Sequence, residues 1–99
     1  MFVTIHKYQA RAGEEDAIIA LHENWQRTLQ PRAEGYLSGS LLRNVENLQE
    51  FVSILYFESQ EAAEGLANNP EQGAWYQRVV SLTDDMPTTI RYISVNGSD

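Results

Sequence analysis

The chain contains no cysteine. Disulfides, thiol nucleophiles and thiolate metal sites are therefore excluded. Basic residues are scarce as well: 7 Lys and Arg stand against 14 Asp and Glu, for a formal net charge of −7. These cations are scattered from Lys7 to Arg91 and form no stripe that would neutralise phosphates, so nucleic acid is not an expected partner. The acidity reads as a solubility feature, not as a cation site. No apolar run approaches the ~20 residues that a membrane-spanning helix needs. Met1 leads straight into a strand pattern, without a basic leader region or a cleavage site, and a soluble cytoplasmic protein is expected. Gly13, Gly35, Gly39 and Gly65 make no phosphate-cradling pattern, and no serine sits in a nucleophile-elbow context. Repeats, linkers and low-complexity segments are absent from the sequence too.

What remains is an ordinary globular composition. Its 42% hydrophobic content is too high for disorder, and 99 residues suit one domain spanning 1–99. A chain of this size buries roughly two-thirds of its unfolded surface, so a core is feasible without staples.

Residues 1–10 alternate, with Phe2, Thr4, His6 and Tyr8 on one side and Val3, Ile5 and Lys7 on the other, as in a strand. Gly13 breaks the pattern. Glu14, Glu15 and Asp16 then suit the positive end of a helix dipole. Ile18, Leu21, Trp25 and Leu29 recur at helical spacing, which predicts an amphipathic helix over residues 14–30, stopped by Pro31. Gly35 allows a turn into a strand over 36–44. A polar turn at residues 44–47 then leads to a strongly β-like stretch over 50–57, and the two strands form a hairpin. Ser59 is placed to cap a second helix, interrupted at Asn68-Asn69-Pro70, where Asn69 can cap a fresh helix with Pro70 at its first position. A loop over 83–87 precedes a last strand over 88–95 and a polar tail over 96–99. The order β-α-β-β-α-β is the split βαβ of an α+β, ferredoxin-like fold: a four-stranded antiparallel sheet with its helices on one face.

Helices on one face leave the other to be polar in a monomer. Here both faces are apolar. Phe51, Leu55 and Phe57 oppose Val52, Ile54 and Tyr56, and Ile90 and Tyr92 oppose Ile93 and Val95. Such a sheet needs a second cover or exposes a large apolar patch. The simplest cover is the sheet of another copy, which predicts a homodimer with the helices outside.

Several local signatures resemble the antibiotic biosynthesis monooxygenase family. They are Gly35-Tyr36-Leu37 entering the second strand, Arg43-Asn44 at its end, residues 51–57 as the third strand, Phe57-Glu58-Ser59 with Ala62 opening the second helix, and the break at Asn68-Asn69-Pro70 followed by Trp75. The resemblance implies a dimeric α+β barrel with a small pocket in each subunit, between helices and sheet. Some members of the family oxidise phenols or hydroquinones to quinones with oxygen and no metal or flavin; others degrade haem, and others isomerise or break down small metabolites. The haem-degrading branch uses an asparagine on the first strand, with a tryptophan and a haem-ligating histidine on the second helix. The matching positions here hold His6, Leu66 and Trp75-Tyr76, and no histidine follows His22, which speaks against haem degradation.

His6 shares a strand face with Phe2, Thr4 and Tyr8. If that face looks toward the helices, His6 lies in the pocket and can deprotonate a phenol, its ordinary pKa lying near neutrality. The alternative is a buried histidine bonded to a neighbour, with no catalytic duty. His22 borders the apolar stripe of the first helix, at the pocket mouth or in solvent, and His6 with His22 makes no metal signature. Trp25, Trp75 and Tyr76 are either core or the walls around a flat aromatic ligand. Tyr36 can orient a substrate oxygen or sit at an edge. Arg43 and Arg91 are strand cations that can hold an anionic group or pair with surface acids. The resulting expectation is a cofactor-independent monooxygenase acting with oxygen on a small aromatic, hydroxylated compound. His6 is its base, and Tyr36, Trp75, Tyr76, His22 and Trp25 bind the substrate. The alternatives are an isomerase or metabolite-degrading enzyme of the same fold, or a non-catalytic dimer that binds a small ligand.

Overall fold

The computed structural model describes residues 1–97. The elements run β1 (Phe2–Gln9), α1 (Glu15–Thr28), a 3-10 turn (Gln30–Arg32), β2 (Tyr36–Arg43), β3 (Glu50–Phe57), α2 (Gln60–Ala67), α3 (Pro70–Val80) and β4 (Thr88–Ile93). This is the α+β, ferredoxin-like arrangement that the sequence pattern implies. The four strands lie in the order β2-β3-β1-β4, with every neighbouring pair antiparallel. β1 is therefore central and paired on both sides. Of the expected tail, Ser98 and Asp99 lie outside the described residues.

Local chemistry sets the element ends. Gly35 turns the chain into β2 with φ at +76°, and a Cβ at that position would collide with Ala62. The Ser59 side chain caps α2 by accepting from the Ala62 N–H (3.2 Å), and the Asn69 side chain caps α3 by accepting from the Glu71 N–H (2.8 Å). The Asn69 cap, with Pro70 opening α3, separates α3 from α2, which ends at Ala67. Pro31 falls inside the 3-10 turn, and α1 already ends at Thr28.

The helices cover one face of the sheet. On that face Tyr8 and Phe51 pack with Ile18, Leu21, Trp25 and Leu29 of the α1 region and with Trp75 and Val79 of α3. A smaller cluster of Phe2, Phe57 and Ala63 sits under α2. The opposite face is also apolar. Val3, Ile5, Val52, Ile54 and Tyr56 are half-buried there, while Leu42 (50% exposed), Ile90 (45%) and Tyr92 (52%) stand largely in solvent. Among the described residues, no helix is long and apolar enough to cross a membrane.

Candidate active site

The two clusters do not meet along β1. Its helix-facing side chains run Phe2, Thr4, His6, Tyr8: an aromatic anchor at each end and two smaller, polar groups between. A cavity of about 450 Å³ opens above this gap. That volume is within the range of small-molecule sites. Its floor is the sheet: Thr4 and His6 of β1, Leu55 and Phe57 of β3, and Thr89 and Arg91 of β4. Its roof is Ala63, Glu64, Leu66 and Ala67 of α2 with Gln72, Gly73 and Tyr76 of α3. Register explains the floor. Thr89 pairs with His6, and Arg91 with Thr4, so these β4 residues share the helix-facing side of the sheet. Small residues explain the roof, since Ala63, Ala67 and Gly73 leave the space that larger side chains would fill.

His6 is half-buried in this cavity. Its Nδ1 shares a 3.0 Å hydrogen bond with Thr89 Oγ1. Its ring lies parallel to Tyr8 at 6.4 Å and tilts against Tyr76 at 5.7 Å between centroids. Burial, with His22 acting in the same direction, pushes the imidazole pKa down to about 4. This differs from the near-neutral value that an exposed histidine would have; desolvation disfavours the imidazolium. His6 is therefore a neutral imidazole at physiological pH. Burial likewise raises the phenols of Tyr8 and Tyr76, which stay protonated.

Each of the other expected site residues has a definite place. Tyr76 lines the cavity beside His6. Trp75, one position earlier on α3, points about 100° away around the helix. Its indole Nε1–H donates to the Leu21 carbonyl of α1 at 2.8 Å, and its ring meets His22 edge-on at 5.0 Å. The Trp25 indole N–H donates to Gln72 Oε1 at 2.6 Å, which fixes one of the roof residues, and its ring packs edge-on against Tyr36 at 5.2 Å. His22 Nδ1–H donates to the Ile18 carbonyl at 2.9 Å, leaving Nε2 to accept from the Tyr8 hydroxyl at 3.4 Å. Burial lowers the His22 pKa too. Of the six, His6 and Tyr76 line the cavity, whereas Trp25, Trp75, His22 and Tyr36 form the layer behind it. The cavity is left open by this packing: neither tryptophan fills it, and Tyr56 belongs to the other face of the sheet.

The remaining lining residues, Thr4, Leu55, Gln72, Thr89 and Arg91 among them, lack a sequence motif. The signal that finds them is strand alternation combined with register. Arg43, the other strand cation, is engaged elsewhere: its guanidinium lies 5.2 Å from the Phe51 ring centroid, and its Nε–H donates to the Leu48 carbonyl. Among the described residues, His, Cys, Asp and Glu form no group of three or more that could hold a metal ion.

A family profile described as antibiotic biosynthesis monooxygenase matches residues 1–78. The chain belongs to the antibiotic biosynthesis monooxygenase family. Among curated proteins, none matches the sequence. Solved structures share the fold of this monooxygenase-family chain at low identity. SnoaB of Streptomyces nogalater, described as a cofactor-independent oxygenase, is 11% identical with a TM-score of 0.85, covering 97% of this chain and 94% of its own. A Mycobacterium tuberculosis protein is 16% identical, also at 0.85, covering 99% and 98%. A Deinococcus radiodurans protein is 14% identical at 0.85, covering 100% and 97%. At these identities the likeness carries the fold alone.

Proposed function

We propose that the protein is a cofactor-independent monooxygenase that oxidises a small aromatic, hydroxylated compound to a quinone with molecular oxygen. The observation that carries this reading is a neutral imidazole, His6, inside a mostly apolar cavity of a size for one flat ligand. In the tautomer whose Nδ1–H donates to Thr89 Oγ1, His6 presents Nε2 as an acceptor for the substrate hydroxyl. An imidazole with a pKa near 4 is a weak base in the empty cavity. A bound phenolate beside it reverses this, because opposite charges in a dry site stabilise one another. The proton passes from the hydroxyl to His6, and the electron-rich phenolate gives one electron to oxygen. The resulting radical pair recombines at a ring carbon, the imidazolium of His6 returns its proton to the peroxide, and cleavage of the O–O bond with loss of that carbon's hydrogen releases water and leaves the quinone. One phenol and one dioxygen become one quinone and one water. The protein contributes position, a proton acceptor and the exclusion of bulk water. Tyr76 stacks near the ring, while Trp25, Trp75, His22 and Tyr36 hold the walls in place.

The test is oxygen consumption with a panel of naphthols and anthrones in the presence of a strong chelator. Catalysed uptake, one dioxygen per quinone formed, is expected. Turnover of such a compound at an unchanged rate under nitrogen would point instead to the isomerase class. Tight binding without any turnover across the panel would leave a ligand-binding protein.

The same reading includes a homodimer in which the two uncovered sheet faces meet. Val3, Ile5, Ile54 and Tyr92 lie on that face, and a monomer would leave their side chains against water. Sedimentation equilibrium at micromolar concentration should give twice the 11.3 kDa chain mass. Ile54→Asp, which places an unpaired charge in the middle of the contact, should give the monomer. A wild-type protein that sediments as a single chain would remove the dimer.

A further inference from the structure

We infer that the substrate is an aromatic hydroxy acid, whose carboxylate is bound by Arg91 while its hydroxyl faces His6. The inference rests on the oxygenase reading for the fate of the hydroxyl, but the anion subsite stands on its own geometry. Of the described residues lining the cavity, Arg91 carries the one fixed positive charge. In a chain with twice as many acids as bases, a cation has many available partners. Arg32 pairs with Glu71 and Lys7 with Glu50. Arg91, among the described residues, has neither an ion pair nor a side-chain hydrogen bond. The other charged lining residue, Glu64, accepts from Gln60 Nε2 at 3.0 Å along its own helix and forms no ion pair with Arg91.

The placement of the two groups defines the ligand. Arg91 lies opposite Thr4, and Thr89 opposite His6, so the strand positions that present the cation and the base are two residues apart, about 7 Å along β4 from Cα to Cα. Most of the remaining lining is carbon, from Leu55, Phe57, Ala63, Leu66 and Ala67, with Thr4, Glu64 and Gln72 as further polar groups. A flat ring with a hydroxyl at one end and a carboxylate at the other matches a lining that carries a base and a cation at separate positions along the floor, with carbon against its faces. A guanidinium fork takes a carboxylate through two parallel N–H···O bonds, and takes it with greater strength than a neutral acceptor. Arg91 also orients the ring, since a ligand bound the other way round would place its carboxylate against Tyr76 and a neutral imidazole.

Binding measured under nitrogen tests this apart from turnover. The probes are 6-hydroxy-2-naphthoate and 2-naphthol, followed by quenching of protein fluorescence at pH 7.5 and low salt. The naphthoate should bind at least about tenfold more tightly, the scale of one charge-assisted contact. Arg91→Met should weaken the naphthoate by about the same factor and leave 2-naphthol within about twofold, and Arg91→Lys should keep part of the preference. Arg91 is exposed on an edge strand, so these variants retain the core. Equal affinities in the wild type, or a preference that survives Arg91→Met, would overturn the inference. A preserved preference in a protein that consumes no oxygen would remove the oxygenase reading and leave the anion subsite standing. Oxygen uptake without the preference would do the reverse.

Discussion

Replacing His6 with glutamine is expected to lower oxygen consumption by about 10²–10⁴-fold, the usual contribution of a positioned acid–base group. Glutamine keeps a polar group beside Thr89 but cannot accept and hold a proton. The pH dependence gives the assignment a second readout. In the free protein the imidazole titrates near 4. The acid limb of kcat/KM should therefore fall near that pH, well below the 6.5 of an exposed histidine. Stability follows the same group. The unfolded chain takes up the proton first as the pH drops, so the contribution of a neutral buried His6 is complete above about 6.5 and is lost as the pH falls toward 4. Urea denaturation at pH 7 and pH 4.5 should show a smaller loss in His6→Gln than in the wild type. Some slope remains, since His22 is buried and lowered as well. Full turnover in a folded His6→Gln protein would end the role of His6 as base. An acid limb near 6.5 would contradict its burial.

Trp75→Ala is expected to cost about 3–5 kcal/mol, the range for truncating a large buried aromatic side chain. A domain of this size has a total stability of about 5–15 kcal/mol, so the variant should be close to unfolding at 37 °C. The size of the effect comes from position. Trp75 is 7% exposed, contacts the His22 and Trp25 rings, and ties α3 to α1 through the Leu21 carbonyl. Trp75→Phe keeps most of the ring and gives up the N–H bond. It should lose about 1–3 kcal/mol and leave KM nearly unchanged, because the indole faces α1 and not the cavity. A large rise in KM for Trp75→Phe with little change in urea midpoint would place the tryptophan against the substrate instead.

The sequence is informative wherever local chemistry decides the structure. The alternation of Phe2, Thr4, His6 and Tyr8 groups His6 with two aromatics, whereas the side of the sheet that this face takes is set by its packing against the helices. β3 takes the bounds 50–57 that its β-branched and aromatic run implies, and Asn69-Pro70 opens α3 as a cap and first position should. The expectations that shift depend on distant partners. β4 ends at Ile93 and not at 95, because β1, its one partner, begins at Phe2, and Phe2 pairs with Ile93. The site divides in the same way. That His6 lies in a gap follows from small residues on α2 and α3, which no spacing rule singles out. Trp75 and Tyr76 are equivalent in composition, and the helix phase that separates a core anchor from a cavity wall is set by contacts with α1. Arg43 and Arg91 are alike as strand cations. Their fates part because one lies across Phe51 and the other opposite Thr4.

Gly73 has a consequence for how this scaffold accepts ligands of different bulk. It lies inside a helix, where glycine costs roughly 0.5–1 kcal/mol relative to alanine. A Cβ built there meets nothing within 4 Å, and the residue borders the chamber. Close packing therefore does not demand a glycine. Its one visible effect is to widen the aperture, at some expense to the rod that carries it. A larger side chain introduced at position 73 is expected to narrow the chamber from above, while His6, Thr89 and Arg91 on the strands stay where they are.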